Sequence, residues 1–232
     1  MTDAYAEWKG WAEADFGRFS PLDASYFQWH VSRALQGQTE GLQVLELGFG
    51  NGRFAGWVAS RGGTMTGVET NERLVAVARG RGVEAFDSLQ AVPAGKLFDL
   101  VAGFDVLEHV PRAELEDLLR QLAGRLQPGG AMLFRFPNAE SPFGLHLQHG
   151  DLTHVSALGA SAMRQLCART GLQLAHTGDL PPWRAFPPSR RVGALFGQGW
   201  RRTVEWQLRK AFKMGRGVDL APNQTVVLRL PG

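Results

Sequence analysis

A chain of 232 residues, 44% of them hydrophobic, can bury one sizeable α/β core, and its composition excludes a fibrous or disordered protein. It has no run of about eighteen apolar residues and no basic stretch ahead of an apolar one at its start, so neither a membrane span nor a signal peptide is expected. The lone Cys167 excludes an intramolecular disulfide and points to the cytoplasm, while the net charge of +3 hides nine Lys/Arg against the single Glu205 between residues 184 and 216.

Residues 1–35 are rich in aromatics (Tyr5, Trp8, Trp11, Phe16, Phe19, Tyr26, Phe27, Trp29) at helical spacing. They predict two short helices, broken at Ser20-Pro21, that cap the main body and cover a pocket. From residue 42 strand and helix patterns alternate. Strands are predicted at 42–47, 64–69, 83–86, 98–104, 131–136 and 172–176, with helices at 52–61, 72–79, 112–126 and 161–170. Residues 98–104, apart from Asp99, read as a continuous apolar run, as in a strand buried on both faces. Leu115, Leu118, Leu119, Leu122 and Leu126 share one helical face. Pro128-Gly129-Gly130 reads as a turn into the fifth strand. Two proline pairs, Pro181-Pro182 and Pro187-Pro188, precede a basic helix predicted at 200–214, and a last strand is expected at 225–230. The expected fold is a Rossmann-like, doubly wound parallel sheet. One domain is expected, with a cap (1–35), a core (42–178), a basic insertion (180–222) and a final strand (223–232).

The loop after the first strand, Glu46-Leu47-Gly48-Phe49-Gly50-Asn51-Gly52, has a glycine at every second position, which permits a tight turn and close approach of backbone to a ligand. A dinucleotide fingerprint would place its third glycine where Arg53 stands. Glu46 would repel a pyrophosphate but suits a cofactor with a cationic amino-acid end, which favours S-adenosylmethionine over NAD. Glu69, at the end of the second strand, can accept hydrogen bonds from a ribose diol of either cofactor; the alternative is an ordinary surface glutamate.

Four segments, in order, carry a resemblance. Val44 to Gly52 resembles motif I of the class I S-adenosylmethionine-dependent methyltransferases. Glu69 falls at that family's ribose-binding acid. Phe98-Asp99-Leu100-Val101 with Asp105-Val106-Leu107-Glu108-His109-Val110 is similar to the block after the fourth strand in its small-molecule and glycan members. Leu126-Gln127-Pro128-Gly129-Gly130 resembles the turn before the fifth strand. The resemblance implies seven strands, the last antiparallel. It implies that Glu46, Gly48, Phe49, Gly50 and Asn51 meet the methionine portion, and Glu69 and Thr70 the ribose. Phe86, Asp87 and Ser88 would lie by the adenine; Phe104, Asp105 and Val106 would line the floor near the methyl group. The product would be S-adenosylhomocysteine.

Methyl transfer from a sulfonium is an in-line displacement with a neutral leaving group, so alignment and exclusion of water are the main tasks. A hydroxyl acceptor also benefits from a positioned base. His109 is one candidate, with a structural, loop-packing role as its alternative. The segment from His146 to His154 places three histidines and Asp151 within nine residues, past the fifth strand, and resembles the G-D-x-T-H segment of bacterial surface-glycan methyltransferases. His154 or Asp151 is thereby a candidate base, and His154→Ala is expected to abolish turnover. The histidine spacing matches no structural zinc signature, so no metal is expected. His146 is expected only to order the loop.

In the predicted basic helix, Trp200, Val204, Leu208, Ala211 and Phe212 form one stripe, with Arg201, Arg202, Arg209, Lys210 and Lys213 outside it. That helix could cover the core, or lie on an anionic membrane at the inner face or on a lipid-linked substrate. The acidic Asp105–Glu108 segment and the lack of an RNA-binding module disfavour nucleic acid. The preferred activity is O-methylation of a glycan-type or other small acceptor. A quinone-like metabolite methyltransferase, a non-catalytic S-adenosylmethionine-binding protein and an NAD-type oxidoreductase are the alternatives.

Overall fold

The computed structural model describes residues 10–178, 180–215 and 218–231; Tyr5, Trp8 and Arg216 lie outside them. The described elements run α1 (Pro21–Ala34), β1 (Gln43–Leu47), α2 (Arg53–Ser60), β2 (Thr64–Val68), α3 (Glu72–Gly80), β3 (Glu84–Phe86), β4 (Phe98–Phe104), α4 (Leu115–Ala123), β5 (Leu126–Pro137), α5 (Leu145–His149), α6 (Ala160–Thr170), β6 (Gln173–Thr177), α7 (Arg191–Ala211) and β7 (Asn223–Arg229). The strands form one seven-stranded sheet in the order β3-β2-β1-β4-β5-β7-β6, with β7 antiparallel to both neighbours. This is the Rossmann-like arrangement expected, including the antiparallel last strand.

Side-chain alternation along the central strands divides the core into two layers. Leu45, Leu47, Val101, Met132 and Phe134 face the side covered by α4 and α6. Val44, Leu100, Ala102, Ala131 and Leu133 face the side covered by α1, α2 and α3. All ten are buried, each contributing about 1.5–3 kcal/mol where the side chain is Val, Leu, Met or Phe.

Three elements differ from the sequence expectation. At the amino-terminal end a 3₁₀ turn at Glu13–Asp15 precedes a single helix. Ser20-Pro21 is the start of that helix rather than a break in one. The Ser20 side chain accepts from the Asp23 N–H, the Asp23 carboxylate accepts from the Ser20 N–H, and Pro21 occupies the first turn, where its missing N–H costs nothing. The helix expected to reach 126 stops at Ala123 because Leu126 already pairs with Phe98. The register then shifts before Ala131, so the Pro128-Gly129-Gly130 segment is an irregularity within β5. Finally, α7 begins at Arg191, ahead of the expected residue 200. Gly193, Gly197 and Gly199 depress helix propensity there. Gln198 compensates by accepting from the Trp183 N–H (3.0 Å) and donating to the Pro181 carbonyl (2.8 Å).

The amino-terminal segment is fixed to the glycine loop by close backbone contact. A Cβ at Gly56 would lie 1.8 Å from the Gly17 carbonyl oxygen, so only glycine lets α2 approach there. The Gly17 N–H donates to the Asn51 carbonyl at 3.0 Å, and the Phe16 ring covers Gly52.

Candidate active site

A cavity of about 1300 Å³ opens at the carboxyl ends of β1, β2 and β4, between the amino-terminal cap and the loops that follow those strands. Pockets for one drug-sized ligand span roughly 300–1,000 Å³, so this one has room for two molecules side by side.

One end of the cavity is built by the glycine loop. Gly48 (φ 61°), Gly50 (φ 50°) and Gly52 (φ 66°) are left-handed, and the loop leads directly into α2. Side chains already occupy the space beside them. A Cβ on Gly48 would fall 2.5 Å from Val106, and one on Gly50 2.8 Å from the Trp11 ring. Glu69 steadies the loop from β2, accepting from the N–H groups of Gly50 (3.3 Å) and Asn71 (3.1 Å). Glu46 is a wall residue of the cavity, is only 3% exposed, and has one carboxylate oxygen, Oε2, buried with no hydrogen-bond partner among the described residues. Burial, with the Glu69 charge adding to it, pushes the Glu46 carboxyl well above the ordinary value. An unpartnered buried carboxylate is costly unless a cation or donor arrives. A bound ammonium group would supply one.

A second stretch of the wall, beside the glycine loop, is aromatic and carries an ion pair. Asp105 follows β4 with φ 58°, a conformation that costs a non-glycine residue roughly 1 kcal/mol and persists only where neighbours hold it. Arg135 does so. Its Nε donates to Asp105 Oδ1 at 3.0 Å, a second guanidinium nitrogen donates to Oδ2, and the Asp105 N–H donates to the Arg135 carbonyl at 2.8 Å. The same guanidinium lies over the rings of Tyr26 (5.6 Å) and Phe104 (5.8 Å). Tyr26 is tied to the sheet through Thr225, its hydroxyl 2.7 Å from Thr225 Oγ1. Phe27, Leu180 and Phe186 add apolar wall.

The histidines past β4 and β5 form a third group. His109 and Thr153 line the cavity. Thr153 Oγ1 donates to Asp151 Oδ1 at 2.5 Å, so the contact of Oγ1 with His109 Nδ1 at 3.0 Å uses a proton on the ring. The Thr153 carbonyl, 3.3 Å from the same nitrogen, requires the same tautomer. His109 Nε2 is therefore the nitrogen with the lone pair. His154 and Asp151 are not among the lining residues, and their side chains are 6% and 8% exposed. His154 Nδ1 is 3.0 Å from the Gln148 carbonyl, to which it donates, and Nε2 faces Asp151 (3.7 Å) and the buried Glu108 (3.9 Å). The N–H groups of Val155 and Ser156 donate to the Glu108 carbonyl and pull the loop inward. Glu108, His109 and His154 bring one ligand-type atom each within 4.8 Å of one another, three potential metal ligands. His146 and His149 sit on the short α5.

A methyltransferase domain family matches residues 19–177, well over half of the chain. The chain belongs to that methyltransferase family. It is 28% identical over 131 residues to a ubiquinone biosynthesis O-methyltransferase of Bordetella avium, covering 53% of each, and 30% identical over 129 residues to one of Rhizobium rhizogenes, covering 50% of this chain and 51% of that one. It thus spans about half the length of the curated relatives it matches. Among solved structures, a SAM-dependent methyltransferase from Archaeoglobus fulgidus superimposes with a TM-score of 0.65 over 98% of this chain and 99% of that one, at 15% identity, a likeness of fold.

Within this methyltransferase the cavity gathers most of the residues that the motifs singled out. Glu46, Gly48, Phe49, Gly50, Asn51, Glu69, Thr70, Asp87, Ser88, Phe104, Asp105 and Val106 all line it. Phe86 instead packs against the core beneath. Arg135 carried no sequence signal, since it sits inside an apolar strand run where one charge reads as an edge residue. Leu180 and Phe186 reach the cavity from a proline-rich segment whose path no local pattern fixes.

Proposed function

We propose that this methyltransferase moves the methyl group of S-adenosylmethionine to an oxygen of a small, flat, largely apolar acceptor of the phenol or quinol type. When bound, the cofactor supplies an electrophilic methyl carbon on a cationic sulfur. The observation that carries the reading is a single cavity lined both by Glu46, whose buried Oε2 has no hydrogen-bond partner among the described residues, and by an aromatic wall. Glu46 would hold the ammonium of the methionine portion, and Glu69, whose oxygens already accept from the loop, would face the ribose hydroxyls. Trp11, on the glycine loop, closes the cofactor end. Tyr26, Phe27, Phe104 and Phe186 keep water from the acceptor end, and Arg135 holds Asp105 in place between them. His109, whose tautomer Thr153 and Asp151 fix, would take the acceptor's proton at Nε2. The fold likeness to the plantazolicin methyltransferase BpumL in complex with SAH (TM-score 0.58 over 98% of this chain and 88% of that one, 16% identity) fits such a cofactor end. The name of the Bordetella relative fits oxygen as the nucleophile.

A glycan acceptor, the expectation drawn from the histidine segment, gains less from this geometry. A sugar needs many hydrogen-bonding partners, whereas His154 and Asp151 are absent from the cavity lining and the lining as a whole is mainly apolar. The test is calorimetric titration with S-adenosylhomocysteine and, in parallel, NAD, followed by turnover on catechol-type, quinol-type and sugar acceptors. Binding of S-adenosylhomocysteine alone and turnover of catechols or quinols are expected. Binding of NAD, or methylation of sugars only, would overturn the cofactor or the acceptor half respectively.

A further inference from the structure

Helix α7 is amphipathic with its apolar face turned outward. Val192, Leu195, Phe196, Trp200 and Trp206 fall along one side, with Val192 three and four residues before Leu195 and Phe196, Phe196 four before Trp200, and Trp200 six before Trp206. They are 68%, 45%, 74%, 72% and 57% exposed. The opposite side, through Ala194, Gln198, Val204 and Leu208, is the half-buried one, and no residue of the helix is fully buried. The expected stripe of Trp200, Val204, Leu208, Ala211 and Phe212 is thereby split, since Trp200, Ala211 and Phe212 are exposed while Val204 and Leu208 are half-buried. A helix that hides its weaker apolar residues and displays two tryptophans and a phenylalanine is not placed to complete a core.

Charge identifies what would cover that face. From residue 184 to 213 the chain has eight Lys/Arg and one acid, Glu205, which is paired with Arg201 at 3.4 Å. Arg209 is spent on the Gly215 and Val218 carbonyls. Arg184 and Arg190 ahead of the helix, Arg202 and Lys210 on it and Lys213 just past it are all exposed, and the Lys210 ammonium lies 4.6 Å from the Trp206 ring centre. A second copy of the chain would bring like charges together, and a nucleic acid would leave Val192, Leu195 and Phe196 wet. An anionic bilayer satisfies both features: its headgroups meet the cations, its acyl boundary takes the aliphatic side chains, and tryptophan favours the zone between.

The geometry points to α7 as a docking helix for anionic lipid membranes. It would lie in the interface plane with Trp200 and Trp206 at the acyl boundary. No helix among the described residues is long and apolar enough to span a bilayer, so the contact is peripheral. The chain leading into α7 supplies Leu180, Pro181 and Phe186 to the cavity wall, which leaves the docked surface one short segment from the cavity. The inference concerns a surface outside the cavity and stands apart from the acceptor reading.

Flotation with phosphatidylcholine vesicles, and with vesicles carrying about a third phosphatidylglycerol, tests it at low and high salt. Binding only to the anionic vesicles, lost at high salt and accompanied by a blue shift of tryptophan fluorescence, is expected. Removing two cations in Arg202→Ala/Lys210→Ala should weaken binding about twentyfold, and Trp200→Ala/Trp206→Ala about tenfold. Circular dichroism and S-adenosylhomocysteine binding should stay unchanged in both variants, since these side chains are exposed and outside the cavity. No flotation, equal binding to both vesicle types, or full binding by both variants would overturn the proposal. So would concentration-dependent self-association without vesicle binding, which would make the face an interface between copies.

Discussion

The glycine loop after β1 and the histidine segment after β5 both stand out in the sequence as chemistry, and the structure treats them differently. Glu46, Gly48, Gly50 and Asn51 open onto the cavity, whereas His154 and Asp151 fold in behind it, against Glu108. The difference is one of what fixes direction. In the glycine loop the backbone itself is constrained, by left-handed φ angles that glycine alone adopts without cost and by the step from strand to helix. In the histidine segment direction depends on which distant backbone groups capture the loop, here the Glu108 and Gln148 carbonyls.

The largest expected effect sets two histidines against each other. On the proposed function, His109→Ala should lower kcat about a thousandfold with S-adenosylhomocysteine affinity kept, since it would remove the acceptor's base and no proposed cofactor contact. His154→Ala should cost far less turnover and instead lower Tm by several degrees, because it empties a nearly buried site that is hydrogen-bonded to Gln148. Steady-state kinetics and thermal melts on both variants decide it. The reverse order would return the role of base to His154.

A second, smaller effect isolates the backbone. Gly48→Ala should weaken S-adenosylhomocysteine binding roughly a hundredfold, because a left-handed alanine is strained and its Cβ meets Val106 at 2.5 Å. Gly62→Ala is the control. It carries the same kind of strain (φ 69°) with nothing within 4 Å, so it should lose a little stability and no affinity. Equal affinity loss in both would mean that strain anywhere loosens the protein, and that the loop has no special part.

This contrast also explains how much was legible. The parallel core and the glycine end followed from periodicity and from motifs whose spacing is itself a backbone constraint, and the antiparallel β7 from the family resemblance alone. The long α7 did not, because three glycines within its first nine residues mask its start and one side-chain clamp, Gln198, restores it. Arg135 was invisible for a related reason. Its importance comes from Asp105 and Tyr26, which approach it through the sheet register and the cap rather than along the chain. Sequence reveals where the backbone is constrained locally; partners brought together across the fold require the fold.

The smallest effect probes the orphaned carboxylate. Burial raises the Glu46 carboxyl above the ordinary 4.5, so the folded protein without cofactor holds that proton where the unfolded chain has released it. Its contribution to stability is full below about pH 4.5 and is lost as pH rises through the raised folded value. Glu84, whose carboxyl the Lys96 hydrogen bond holds below its ordinary value, contributes the opposite slope, so wild-type stability alone is ambiguous. The difference from Glu46→Gln removes that background. The glutamine variant should gain stability over wild type as pH rises from 4.5 towards neutrality, and the gap should close when S-adenosylhomocysteine saturates the wild type. Its affinity should fall about tenfold, from loss of a charge-assisted hydrogen bond. Chemical denaturation at a series of pH values, with and without S-adenosylhomocysteine, measures both. A constant gap across pH would mean that Glu46 is already ionised and partnered in the free protein, and the ammonium site at this end of the cavity would lose its basis.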